Sequence, residues 1–93
     1  MNNDDWVVLS EVKRSAYRRK SLKYLYNMDE PRTPTEIASN IEISMTHVSR
    51  ALREMKDNDL VKVINPDAHY DRRYCITERG QKIIEKLQEM ESE

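Results

Sequence analysis

Residues 33–52 read Thr33-Pro34-Thr35-Glu36-Ile37-Ala38-Ser39-Asn40-Ile41-Glu42-Ile43-Ser44-Met45-Thr46-His47-Val48-Ser49-Arg50-Ala51-Leu52, and the fold turns on them. Thr33 stands at an N-cap, Pro34 at the first helical position and Glu36 three residues after the cap. In that pattern the threonine hydroxyl accepts from the Glu36 N–H and the carboxylate reaches back to the cap. Ile37, Ala38 and Ile41 then form the inward side of a short helix that stops near Asn40. A further helix starts at Ser44, where Val48, Ala51, Leu52 and Met55 recur along one buried stripe. Thr46, Arg50, Arg53 and Asp57 fall on its opposite side, flanked by His47, Ser49 and Glu54. So short a connection forces a sharp turn between the two helices.

Working outward, residues 10–27 contain no Pro or Gly and carry Leu22, Leu25 and Tyr26 at helical spacing, with Ser15 and Arg18 on the same side. Tyr17, Ser21 and Tyr24 make a second stripe. Ser10 or Ser15 suits a cap, so a break near Ser15 is open. Beyond the central pair the period changes from helical to alternating. Leu60–Ile64 is β-rich, Asn65-Pro66-Asp67 is a turn, and Arg73–Ile76 is β-rich again. Between them an extended tip carries His69, Tyr70, Arg72 and Arg73. Thr77 caps a last helix, Glu78 to about Glu91, whose apolar face is Ile83, Ile84, Leu87 and Met90. The order is helix, short strand, two helices, two strands, helix. This predicts an α+β, mostly helical winged helix-turn-helix: a three-helix core, a two-stranded wing and a C-terminal helix. Residues 1–93 are expected to form one domain, with 1–9 as an N-terminal extension and 78–91 as the C-terminal helix.

Composition narrows the function. Leu, Ile, Val and Phe number 19 among 93 residues, a thin supply of core. The 16 basic and 17 acidic residues nearly cancel, so the chain is not of the strongly charged, disordered kind. A domain this small is marginal alone and gains from a partner. The longest apolar runs, among them Trp6-Val7-Val8-Leu9, fall far short of a membrane span. The acidic start marks no export, and the single Cys75 makes no disulfide within the chain, so a cytoplasmic location is expected. One glycine, Gly80, rules out a phosphate loop or dinucleotide turn. With no organised nucleophile, base and acid, and no carboxylate pair in an apolar pocket, an enzyme is not expected.

The net charge of −1 conceals its distribution. Residues 12–23 hold Lys13, Arg14, Arg18, Arg19, Lys20 and Lys23 with no acid, between acidic flanks. A polyanion meets that local patch and not the average.

The runs Thr33–Ala38, Ile43–Leu52 and Asp59-Leu60-Val61 together resemble the helix-turn-helix of prokaryotic winged-helix transcriptional regulators. The MarR-like and ArsR-like classes are closest, archaeal members especially. Tyr74-Cys75-Ile76-Thr77-Glu78-Arg79-Gly80 is similar to the strand-to-helix junction that closes their wing, and Asp71-Arg72-Arg73 matches an acidic-x-Arg wing tip. The cysteine-rich metal motif of the ArsR-like sensors is absent. Cys75, His47 and His69 are too few for a tetrahedral site, so no metal or other cofactor is expected.

The resemblance implies sequence-specific binding of double-stranded DNA as a transcriptional regulator. Residues 44–57 would be the recognition helix in the major groove, and residues 62–74 the wing on the adjacent minor groove or backbone. Ser44, Thr46, His47, Ser49, Arg50 and Arg53 are the expected contacts of that helix, Arg50 suiting a guanine by its fork. Thr35 is expected against a phosphate at a helix start, and Arg72 and Arg73 on the wing. Lys13, Arg14, Arg18, Arg19, Lys20 and Lys23 are candidates for the DNA backbone, Arg18 alternatively half-buried. A homodimer is expected to form through Trp6, Val8, Ile83, Ile84, Leu87 and Met90. A small-molecule effector is left open. The alternative reading is a winged-helix module that binds protein and has little DNA affinity.

Overall fold

Over residues 1–92 the computed structural model shows α1 (Asn3–Arg14), α2 (Ala16–Tyr26), α3 (Pro34–Ile41), α4 (Met45–Asp57), β1 (Val61–Val63), β2 (Tyr74–Ile76) and α5 (Glu78–Glu91). The winged helix-turn-helix order is present. Its start differs from expectation. Residues 3–9, expected as an extension, belong to α1, because Asn2 and Asp5 form a capping box: the Asn2 side chain accepts from the Asp5 N–H at 2.8 Å and the Asp5 carboxylate from the Asn2 N–H at 3.3 Å. Trp6-Val7-Val8-Leu9 conceals the helix, since four apolar residues in a row show no period. Only the second pair faces in, with Val12: Val8 and Leu9 are buried while Trp6 and Val7 are 41% and 56% exposed. At Ser15 the backbone is extended and the hydroxyl accepts from the Arg18 N–H at 3.2 Å, so one cap separates α1 from α2.

The capping box of α3 forms as its sequence requires. Thr33 Oγ1 accepts from the Glu36 N–H at 3.2 Å, and Glu36 Oε1 from the Thr33 N–H at 3.0 Å. Glu42 closes α3 in the left-handed region (φ 57°), and Ser44 caps α4 by accepting from the His47 N–H at 3.4 Å. The wing is an antiparallel pair with Val61 opposite Ile76, Lys62 opposite Cys75 and Val63 opposite Tyr74. Leu60 stays outside β1 because its N–H closes the end of α4, donating to the Met55 carbonyl at 2.8 Å. Arg32 pairs with Tyr74 through two backbone hydrogen bonds of 2.8 and 2.9 Å, a single bridge where a short strand was expected ahead of α3.

One apolar cluster joins Leu22, Leu25, Ile37, Val48, Leu52, Met55 and Leu60 to side chains from both ends of the chain. Most side chains expected at a dimer interface face this chain's own core. Val8, Ile83, Ile84 and Leu87 are all within 3% of full burial in this single chain, because α5 packs back on α1 and α2. Only Trp6 and the half-buried Met90 of that set keep surface to offer.

Polar ties lock the same seam. Arg79 donates to Asp5 at 3.1 Å, Asp4 at 2.6 Å and the Asn58 carbonyl at 2.7 Å, joining the start of α1, the end of α4 and α5. Tyr26 donates to Glu85 at 2.7 Å, and that hydrogen bond to a carboxylate raises its phenol above the ordinary value. No helix among the described residues is long and apolar enough to cross a membrane.

Candidate nucleic-acid interface

The stripe that buries Val48, Ala51, Leu52 and Met55 leaves the other side of α4 to solvent. There Met45, Thr46, Ser49, Arg50 and Arg53 line one shallow concavity. Thr46, Arg50 and Arg53 are exposed, and Ser49 is half-buried. Neither Arg50 nor Arg53 forms an ion pair among the described residues. Both guanidinium forks are thus open to solvent on adjacent turns. Ser44 is exposed at the cap, and Thr35 is exposed in the first turn of α3.

His47 is not a free surface imidazole. Its ring stacks on Tyr17 of α2, centroids 4.2 Å apart and planes within 6°. Tyr17 was placed by its sequence only on the second stripe of the first long helix, and no local pattern marks a partner on α4. Beside this stack, Ser15, Tyr17, Arg18, His47, Arg50 and Glu54 line a second small concavity between α2 and α4.

The basic segment divides. Arg18 pairs with Glu54 through Nε at 2.7 Å and through Nη2, and its Nη1 donates to the Glu11 carbonyl at 2.8 Å. Arg19 donates to the Lys13 carbonyl at 2.7 Å. Both arginines therefore satisfy carbonyls in the last turn of α1, which helical bonding leaves open. Lys13, Arg14, Lys20 and Lys23 stay exposed. Lys20 and Lys23 border a groove with Tyr24, Asn27 and Ile41.

On the wing, Asn65 clasps the loop: its Nδ2 donates to the Asp71 carbonyl at 3.0 Å and its Oδ1 accepts from the Arg73 N–H at 2.8 Å. Asp71 is left-handed (φ 58°). Arg72 is exposed, its Nε donating to the Ala68 carbonyl at 3.1 Å. Arg73 lies 4.0 Å from Glu36, the acid of the α3 capping box, so it is shared between wing and helix. Lys56, Lys62 and Arg72 line a concavity between the end of α4 and the wing, with Asp59 the acid among its lining residues. Tyr70 at the tip is 88% exposed.

Glu36 is held below the ordinary glutamate value of 4.5, first by the Thr33 N–H, then by the Thr33 hydroxyl and Arg32. Cys75 is half-buried on β2, His69 lies on the wing loop and His47 on α4. Among the described residues no three His, Cys, Asp or Glu side chains gather as a metal site.

A family profile described as winged helix-turn-helix matches residues 18–93. Comparison with curated proteins gives no match. Among solved structures, the MarR family transcription regulator SP03579 is similar at TM-score 0.70 and 22% identity, over 91% of this chain and 62% of that one. The MepR–DNA complex of S. aureus is similar at TM-score 0.72 and 18% identity, over 89% and 71%. NMB1585, a MarR family regulator from Neisseria meningitidis, is similar at TM-score 0.73 and 18% identity, over 96% and 61%. At these identities the likeness is one of fold. The chain spans about three-fifths to seven-tenths of the length of these structures. The ArsR-like and archaeal sides of the resemblance find no counterpart among them.

Proposed function

Because this chain belongs to the winged helix-turn-helix family, we propose that it binds double-stranded DNA sequence-specifically as a transcriptional regulator. The observation that carries this reading is the outward side of α4, where Arg50 and Arg53 stand unpaired among the described residues beside Thr46 and Ser49. A helix bearing two open guanidinium forks and two hydroxyls has the donors that the major groove reads. Arg50 takes the guanine, Thr46, Ser49 and Arg53 the flanking bases and phosphates, and Ser44 and Thr35 phosphates at their helix starts. His47, held by Tyr17, contributes a fixed edge. The wing follows with Arg72, Lys62 and the shared Arg73 on the adjacent minor groove or backbone. The DNA complex solved for MepR, which has this fold, supports the assignment.

As a regulator the chain acts in the cytoplasm and as a homodimer, with half-sites about one DNA turn (~34 Å) apart. Trp6 and Met90 remain from the expected interface, joined by exposed Val7.

Selection of genomic fragments on the purified chain, then titration of the recovered duplex against salt, tests the reading. Affinity is expected to fall steeply with salt. Arg50→Ala is expected to cost about 1–3 kcal/mol on the selected site and to relax preference at one base pair. No shift of duplex DNA at about 50 mM salt, with salt-insensitive capture of a protein partner, would carry the protein-binding alternative.

A further inference from the structure

Arg50 and Glu54 lie four residues apart on α4, the spacing at which a guanidinium and a carboxylate on one helix meet. Left to α4 alone, Glu54 would draw the Arg50 fork down along the helix. The structure has Glu54 engaged from another helix. Arg18 of α2 takes it through two nitrogens and is itself anchored by donating to the Glu11 carbonyl at 2.8 Å. All three groups, with Tyr17 and His47, border the same concavity between α2 and α4. Arg50 makes no ion pair among the described residues.

From this geometry we infer that Arg18 is a positioning residue for DNA binding: it occupies Glu54 and so keeps Arg50 free for a base. This inference rests on the DNA-binding reading above. It assigns the arginine a different task from phosphate contact, the role its place in the basic segment suggested. Arg18 is half-buried, and two of its donors point to Glu54 and one to α1. It also cancels the acid that sits closest along the helix to Arg50. Asp57, the other acid of α4, lies beyond Arg53 and is exposed.

The test is a cycle of variants on the full chain, with the duplex recovered by the genomic selection as probe at about 50 mM salt. Arg18→Gln is expected to weaken binding roughly 3–10-fold, because Glu54 then repels phosphate and competes for Arg50. Adding Glu54→Gln to it removes that competitor, and affinity is expected to return to within about twofold of the unaltered chain. The salt slope of the double variant should match the unaltered chain, since no phosphate contact is lost; loss of one would lower it by about one. Glu54→Gln alone keeps the Arg18–Glu11 contact and reports even if Arg18→Gln does not fold. It is expected to bind at least as tightly as the unaltered chain.

A double variant that stays weak, with its slope reduced, would make Arg18 a phosphate contact and overturn the inference. So would weakened binding by Glu54→Gln alone, or unchanged binding by a folded Arg18→Gln. Failure of the unaltered chain to bind the duplex overturns the DNA reading itself, and this inference with it.

Discussion

Gly80 shows how far one residue type is fixed by its surroundings. A Cβ built there would lie 2.2 Å from the Leu60 carbonyl oxygen and 2.7 Å from Ile76 Cγ1. The carbonyl cannot yield easily, since it accepts from the Thr77 N–H at 3.0 Å at the junction of wing and α5. In a solvated helix, glycine to alanine would gain about 1 kcal/mol. At this site the clash with backbone dominates, and Gly80→Ala is expected to lose roughly 2 kcal/mol or more of stability. Urea unfolding checks it: the midpoint should fall with little change in slope. A variant as stable as the parent would mean that the junction relaxes freely. The arginines teach the same lesson about context. Arg18 and Arg19 close the end of α1, while Arg50 and Arg53 stand open on α4. Their neighbours, and not their residue type, decide which are available to a ligand.

At the scale of the element, α3 carries the clearest sequence signal and a pH dependence that follows from it. The Glu36 carboxylate is depressed below 4.5 by the Thr33 N–H it accepts from, so the capping box adds stability while Glu36 is ionised. That contribution is full above the unfolded value and is lost as pH falls through the depressed folded value. Glu36→Gln is therefore expected to be less stable than the parent near neutral pH. The gap between them should close below about pH 4.5. Thr33→Ala, which removes the other half of the box, should cost about 1 kcal/mol by thermal or urea unfolding. A gap that stays constant down to pH 2–3 would remove the capping box as its cause. This element, the buried stripe of α4, the wing and the α5 face were legible because each repeats within a few residues. The first helix was not, since Trp6-Val7-Val8-Leu9 masks its period and only the Asn2–Asp5 box betrays it. The site was half legible for the same reason. Thr46, Ser49, Arg50 and Arg53 follow from helical spacing alone. The Tyr17–His47 stack and the Arg18–Glu54 pair join α2 to α4 and leave no trace in either local pattern.

The thin core takes on a different meaning for the molecule as a whole. Side chains expected at a dimer surface, Ile83, Ile84 and Leu87, are consumed in covering this chain's own interior. What remains outside on α1 is Trp6 and Val7, with the Lys86 ammonium 5.8 Å over the indole. Trp6 is the single tryptophan, so its fluorescence reports this one surface. If two copies meet there, dimerisation binds only the folded state, and the melting temperature must rise with protein concentration. Over the same concentration range the emission of Trp6 should shift to the blue as water leaves the indole. Trp6→Glu, which removes the fluorophore, is expected to abolish the concentration dependence of the melting temperature while leaving the helical signal intact, because the side chain is 41% exposed and outside the core. Sedimentation as a monodisperse monomer at tens of micromolar, with a melting temperature independent of concentration, would rule out self-association through this surface. It would also deprive α4 of a second copy, leaving Arg50 and Arg53 to read a single half-site, where each open guanidinium counts for more.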